Sequence, residues 1–185
     1  MAKAYAFWMY GMWGPVTDPG SRTMSERIAE LPGVDIGASP YRDYDVNTIV
    51  AAILALPLSV PVIVGGTSLG CNNTPVVAAY VYAQNPKRII QGIWGFQASE
   101  YGAKAGVESY YPGITPNVLF AHLVSSDNPI PFPGLGSYRW KNAPGNNVTS
   151  LHLDTVDDPH PGDTNVTEQD KFLAEMQRVI ANAEG

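Results

Sequence analysis

Gly66-Thr67-Ser68-Leu69-Gly70 is the stretch of this chain best suited to covalent chemistry. It fits the pattern G-x-S-x-G, a serine between two glycines. Alone the pattern is weak, because both residue types are common. Its setting gives it force: the Val/Ile run Val60–Val64 stands directly before it, and an apolar pattern of helical length, Asn72–Gln84, follows. A strand that enters a helix through so short a turn forces the serine into a strained backbone and lifts its hydroxyl above the sheet. The flanking glycines are required because a side chain there would strike the neighbouring strand or helix. The helix that follows turns its positive end toward a developing oxyanion. A phosphate cradle is excluded, since neither G-x-x-x-x-G-K-[ST] nor G-x-G-x-x-G is present. The competing role for Ser68 is a helix cap at the end of a glycine-rich loop.

A serine hydroxyl needs a base to take its proton and a carboxylate to orient that base. Three histidines are available: His122, His152 and His160. His122 lies inside the apolar run Asn117–Val124 and His152 inside Val148–Leu153, so both read as strand residues with packing roles. His160 sits in Asp157-Asp158-Pro159-His160-Pro161-Gly162, beyond the last strand and before the last helix. A loop at the carboxyl ends of parallel strands is where an open α/β sheet places its site. The bland role for His160 is an exposed turn. The orienting acid is expected after the preceding strand, in Val124-Ser125-Ser126-Asp127-Asn128-Pro129, where Asp127 is the only carboxylate. Asp-Asn-Pro is also a good turn sequence. Asp158 is the alternative acid, but it lies too near His160 in sequence to reach round it easily.

The elements that must hold these groups follow from apolar periodicity. Ala4–Tyr10, Val34–Ile36, Val60–Val64, Arg88–Phe96, Asn117–Val124 and Val148–Leu153 read as six strands. Helices are expected over Ser21–Leu31 with Ser21 as N-cap, Asp45–Leu56, Asn72–Gln84 with Pro75 in its first turn, and Thr167–Ala183. Strands alternating with helices predict a three-layer α/β sandwich, a mainly parallel sheet covered on both faces. The segments 97–116 and 128–147 read as irregular and long enough to carry function.

Length and charge bound the rest. At 185 residues the chain reads as one domain over 1–185, with 45% hydrophobic residues to fill a core. A net charge of -6 and scattered basic residues exclude nucleic acid and anionic membranes as partners. The first apolar run is too short to span a membrane and leads into no cleavage site, so the cytoplasm is the default location. Cys71 is the single cysteine, so no intrachain disulfide forms. Asp154, Asp157, Asp158, His160 and Asp163 match no metal-binding pattern and read as a solvated loop. No metal or cofactor is expected.

The chain resembles the α/β-hydrolase superfamily in its small, lidless form. The resemblance rests on Gly66–Gly70, on the order Ser68, Asp127, His160, and on Tyr10-Gly11-Met12 at the end of the first strand; it runs through to the terminal helix. The family's usual first two strands do not appear, which implies a six-stranded sheet. The resemblance implies oxyanion donors at the backbone N–H groups of Leu69 and Met12, with Trp13 as the substitute for Met12. The family commonly has His-Gly where this chain has Tyr10-Gly11. Trp13, Trp94, Phe96 and Phe132 are expected to line an apolar acyl pocket. The expected activity is hydrolysis of an ester or related acyl bond in a small substrate. A silent binding protein on the same scaffold and an acyltransferase using the same triad are the competing functions.

Overall fold

The computed structural model describes residues 4–11, 19–37, 45–97, 113–126, 140–157 and 165–183. In chain order the elements are β1 (Ala4–Met9), α1 (Pro19–Ala29), β2 (Val34–Ile36), α2 (Val46–Ala55), β3 (Val62–Thr67), α3 (Leu69–Gln84), β4 (Gly92–Phe96), β5 (Phe120–Ser126), β6 (Ser150–Val156) and α4 (Val166–Ala183). The six strands form one sheet in the order β2-β1-β3-β4-β5-β6. Every pairing is parallel. All the strand carboxyl ends therefore lie at one side, and the order reverses between β1 and β3. Open sheets of this kind bind their ligands outside the strand carboxyl ends, where the order reverses.

Alternation along the strands divides the core in two. Phe7, Met9, Val62, Val64, Ile93, Ala121 and Leu123 face α2 and α3, which supply Ile49, Val50, Ile53, Val77 and Val81. Ala6, Trp8, Ile63, Trp94, Phe96 and Val124 face α1 and α4, which supply Met24, Ile28, Phe172, Met176 and Ile180. A strand covered on both faces has no polar side to show, which is why these runs are continuously apolar.

Three of the strands end later than the sequence suggests. β3 reaches Thr67 where Val64 was expected, because Gly65 and Gly66 pair in register with Trp8 and Met9 of β1 and with Trp94 and Gly95 of β4. A Cβ on Gly65 would strike the Trp8 ring, so this glycine makes room for a neighbouring indole. β5 and β6 likewise end at Ser126 and Val156, which puts Asp127 directly after β5 and His160 four residues after β6. Ser21 lies inside α1, which begins at Pro19 and not at a serine cap. α3 begins at Leu69, so Pro75 falls in its second turn, where it has no N–H to give the Cys71 carbonyl.

One polar cluster ties α4 to the sheet. His122 of β5 is 3% exposed, and its Nδ1 lies 2.8 Å from Glu175 Oε2 of α4. Its Nε2 lies 3.1 Å from Asp154 Oδ2 of β6. The Trp94 indole N–H donates to the same Glu175 oxygen at 3.0 Å. Burial pushes the His122 pKa down, but the Glu175 bond and the two carboxylate charges outweigh it, and the net shift is upward. Burial pushes Glu175 up, while the His122 and Trp94 bonds and the Arg178 charge bring its net shift below the usual carboxylate value. Arg27 of α1 donates to Gln169 at 2.8 Å and pairs with Asp170, joining the two helices of this face.

The sign of the linkage follows. A histidine raised in the folded state contributes stability below its unfolded pKa of ~6.5, and loses it as pH rises through the folded value. Glu175, lowered, contributes above the unfolded carboxylate range and loses it as pH falls. We predict that His122→Ala costs about 2 kcal/mol near pH 6 and less at high pH. Urea denaturation across pH checks this: a cost that stays flat from acid to alkaline pH contradicts it.

Candidate active site

Ser68 follows β3 and precedes α3, at φ 54 and ψ -122. Positive φ is uncommon for a residue with a Cβ and costs of order 1–3 kcal/mol, so it persists only where the surroundings impose it. Here the surroundings are identifiable. The Ser68 N–H donates to the Phe96 carbonyl of β4 at 2.9 Å, which holds the turn to the sheet. The Asn72 N–H donates to the Ser68 carbonyl at 3.3 Å, which starts the helix. The two bonds leave the backbone between strand and helix almost no length in which to reverse.

Both flanking glycines are sterically required. A Cβ on Gly66 would stand 2.5 Å from the Gly70 carbonyl carbon and 2.9 Å from the Cys71 nitrogen. A Cβ on Gly70 would strike the carbonyl groups of Met9 and Tyr10, at the end of β1. The first turn of α3 is thus pressed against β1 at the point where the strand order reverses. The serine follows β3 beside that reversal and is partly exposed.

The cap role for Ser68 can now be weighed. Ser68 occupies the N-cap position, yet its side chain makes no capping hydrogen bond. Its φ also differs from the β-region backbone of ordinary caps. Leu69 is the first residue of α3, so its N–H has no carbonyl partner within the helix. That N–H adjoins the serine at the positive end of a sixteen-residue helix.

The other expected groups divide into two sets. Met12, Trp13, Asp127, Phe132 and His160 lie outside the described residues. The strands that lead to Asp127 and His160 end on the same side of the sheet as Ser68. Trp94 and Phe96, expected at the acyl pocket, are fully buried. Trp94 is bonded to Glu175, and Phe96 stacks on Phe172 with ring centroids 4.3 Å apart. Strand parity is the reason: both residues point to the α4 face, into the core. Trp140 is buried as well, against Gly95, where a Cβ would stand 2.7 Å from its ring.

His122 is the buried strand residue expected, but with two carboxylate partners that sequence reading missed. Asp154 and Glu175 stand 32 and 53 residues from it. The available signal was His122 itself: an imidazole sharing a strand face with Phe120 and Val124 must find partners for its nitrogens. Burial raises the Cys71 thiol well above its ordinary pKa, which suits a packed side chain and not a nucleophile. Among the described residues no group of three His, Cys, Asp or Glu side chains could hold a metal ion, and no helix is long and apolar enough to cross a membrane.

No protein-family model and no curated protein matches this sequence. Solved structures do. An S-formylglutathione hydrolase from Agrobacterium tumefaciens aligns over 99% of this chain and 85% of its own, with TM-score 0.56 and 11% identity. The RedJ thioesterase of the prodiginine pathway in Streptomyces coelicolor aligns over 96% and 91%, with TM-score 0.54 and 10% identity. YbtT, a type II thioesterase of the yersiniabactin pathway, aligns over 98% and 94% with the same TM-score and identity. The strand order, the elbow and these likenesses together define an α/β-hydrolase fold.

Gly70→Ala tests the packing of the elbow. We predict a loss of about 1–3 kcal/mol, typical of overpacking, as the helix start is pushed off β1. Thermal melting checks it, and an unchanged midpoint would show that the close approach is not obligatory.

Proposed function

We propose that this protein is a serine hydrolase that cleaves an ester or related acyl bond of a small substrate through an acyl-enzyme. The observation that carries the proposal is Ser68: a non-glycine residue at φ 54, on a helix N-terminus, whose hydroxyl does no capping. Strain of this kind is kept where function needs it. Structural neighbours named as a hydrolase and two thioesterases support acyl chemistry.

In the proposed reaction the Ser68 Oγ attacks the substrate carbonyl while the His160 imidazole takes its proton. Asp127 accepts the other ring N–H and keeps the imidazole in the correct tautomer. The oxyanion of the tetrahedral intermediate receives N–H bonds from Leu69 and Met12, each such donor being worth ~3–4 kcal/mol in the transition state. His160 returns the proton to the leaving group, and the acyl chain stays on Ser68. A water molecule, deprotonated by His160, then releases the acid. The chain's own residues supply every proton transfer, so no cofactor enters. Trp13 and Phe132 remain the proposed apolar contacts for the acyl group.

Hydrolysis of p-nitrophenyl acetate tests the proposal. We expect measurable turnover by the wild type, and a fall of several orders of magnitude in kcat for Ser68→Ala and His160→Ala alike, since the members of a triad act as a unit. Turnover that survives Ser68→Ala would refute the assignment.

A further inference from the structure

β6 is an edge of the sheet, and among the described residues no strand pairs with its outer side. Five of its seven residues are exposed. The Ser150 N–H donates to the Leu119 carbonyl, just before β5. Backbone direction alternates along a strand, so even-numbered residues of β6 turn their N–H and C=O inward. Leu151, Leu153 and Thr155 turn theirs outward.

Proteins usually protect such an edge with lysine, proline, a bulge or brevity. The opposite edge is brief, since β2 has three residues. β6 has none of these devices. Its sequence, Ser150-Leu151-His152-Leu153-Asp154-Thr155-Val156, lacks lysine and proline, and its pairing with β5 runs unbroken from Ser150 to Val156. Leu153 is 46% exposed, an apolar side chain in the middle of an edge that no other described strand pairs with. α4 is bound by Glu175 to Trp94 of β4 and His122 of β5 and by Gln169 to Arg27 of α1, and it reaches β6 only through His122 and Asp154.

We propose that β6 is the seam of a homodimer, in which a second copy adds its own β6 antiparallel across a two-fold axis at Leu153. The two six-stranded sheets would then run together as one. The sequence of the strand argues for a second copy of this chain as the occupant, because it is self-complementary about Leu153. Leu153 faces its own counterpart and Leu151 faces Thr155, and these are the residues whose amides point outward. They form the hydrogen-bonded pairs. His152 then faces Asp154, in the non-hydrogen-bonded position where side chains approach most closely.

An imidazole donor thus meets a carboxylate twice, once on each side of the axis. The Ser150 hydroxyl, 3.1 Å from His152 Nε2, holds that ring along the strand. The Asp154 carboxylate keeps an exposed side, its side chain being 49% accessible while it contacts His122. Moving the axis one residue to Asp154 would set two carboxylates face to face, and moving it to His152 would set two imidazoles face to face. An axis between residues would match outward amides with inward ones. Leu153 is the midpoint of the strand, so an axis there pairs all seven residues and sets opposite charges face to face, and this holds whether or not Ser68 is a nucleophile.

Sedimentation velocity of the full chain across a concentration series tests the dimer. The expected result is a species of twice the 19.9 kDa chain mass at high concentration. Leu153→Lys sets two ammonium groups opposite each other, and His152→Glu sets a carboxylate opposite Asp154. Each should weaken association by about tenfold or more, like charges directly opposite being destabilising. Leu58→Lys, at an exposed site outside β6, should leave the dimer intact. Hydrogen exchange of the wild type gives a reading free of any folding defect in the variants: the Leu151, Leu153 and Thr155 amides should gain protection as concentration rises. A monomer at every concentration, a dimer indifferent to both β6 variants, or outward amides whose exchange does not respond to concentration would overturn the proposal.

Discussion

The structure turns on how little space separates the start of α3 from the end of β1. A helix that begins at Leu69 and a strand that ends at Met9 meet with no room for a Cβ on Gly70, and the turn between β3 and α3 closes on itself with no room for one on Gly66. Between these contacts Ser68 has one conformation left, in a region of backbone space that a residue with a side chain enters only under constraint. The sheet supplies that constraint. β3 is central, paired on both sides, and the Phe96 carbonyl fixes the Ser68 amide from the neighbouring strand. The stability of a whole parallel sheet is thereby available to hold one strained residue.

The same sheet sets the direction of the other strands. Parallel pairing aims every strand carboxyl end the same way, so β3, β5 and β6 all end on one side of the sheet. The face that carries α4 is secured separately. His122, Trp94 and Asp154 converge on or beside Glu175, so three adjacent strands are linked to the helix that follows the His160 segment. Buried ion pairs contribute less net stability than their geometry suggests, because desolvation opposes them. Their value here is positional: with the bonding set by direction, α4 has one register on the sheet where apolar contacts alone would permit several.

Much of this was legible in the residues. The strand, glycine-rich turn and helix around Ser68 were readable because each obeys a local rule: a Val/Ile run, a steric need for glycine, an apolar helical period. The inner strands β1 and β3 were readable from their continuous apolarity. What escaped was set by distant contacts. Gly65 and Gly66 look like loop residues, and only the Trp8 ring lying over Gly65 explains their place in β3. Pro75 suggested a helix start near Asn72, whereas the elbow winds the helix directly from Leu69. Trp94 and Phe96 looked like pocket aromatics because they sit at a strand's carboxyl end, yet alternation with Ile93 and Gly95 assigns their faces, and the face is the core. Glu175 and Asp154 gave no signal of their own, since nothing in their spacing marks them as partners of one histidine.

The central claim is that Ser68 carries a nucleophilic hydroxyl, and covalent labelling addresses it most directly. A fluorophosphonate probe reacts with a serine only when a base activates it and an oxyanion site receives the phosphoryl oxygen. The folded protein is expected to be labelled stoichiometrically, with the adduct mapped by peptide mass spectrometry to Ser68 and absent from Ser68→Ala. A well-folded protein that takes up no probe, or takes it up at another residue, would contradict it.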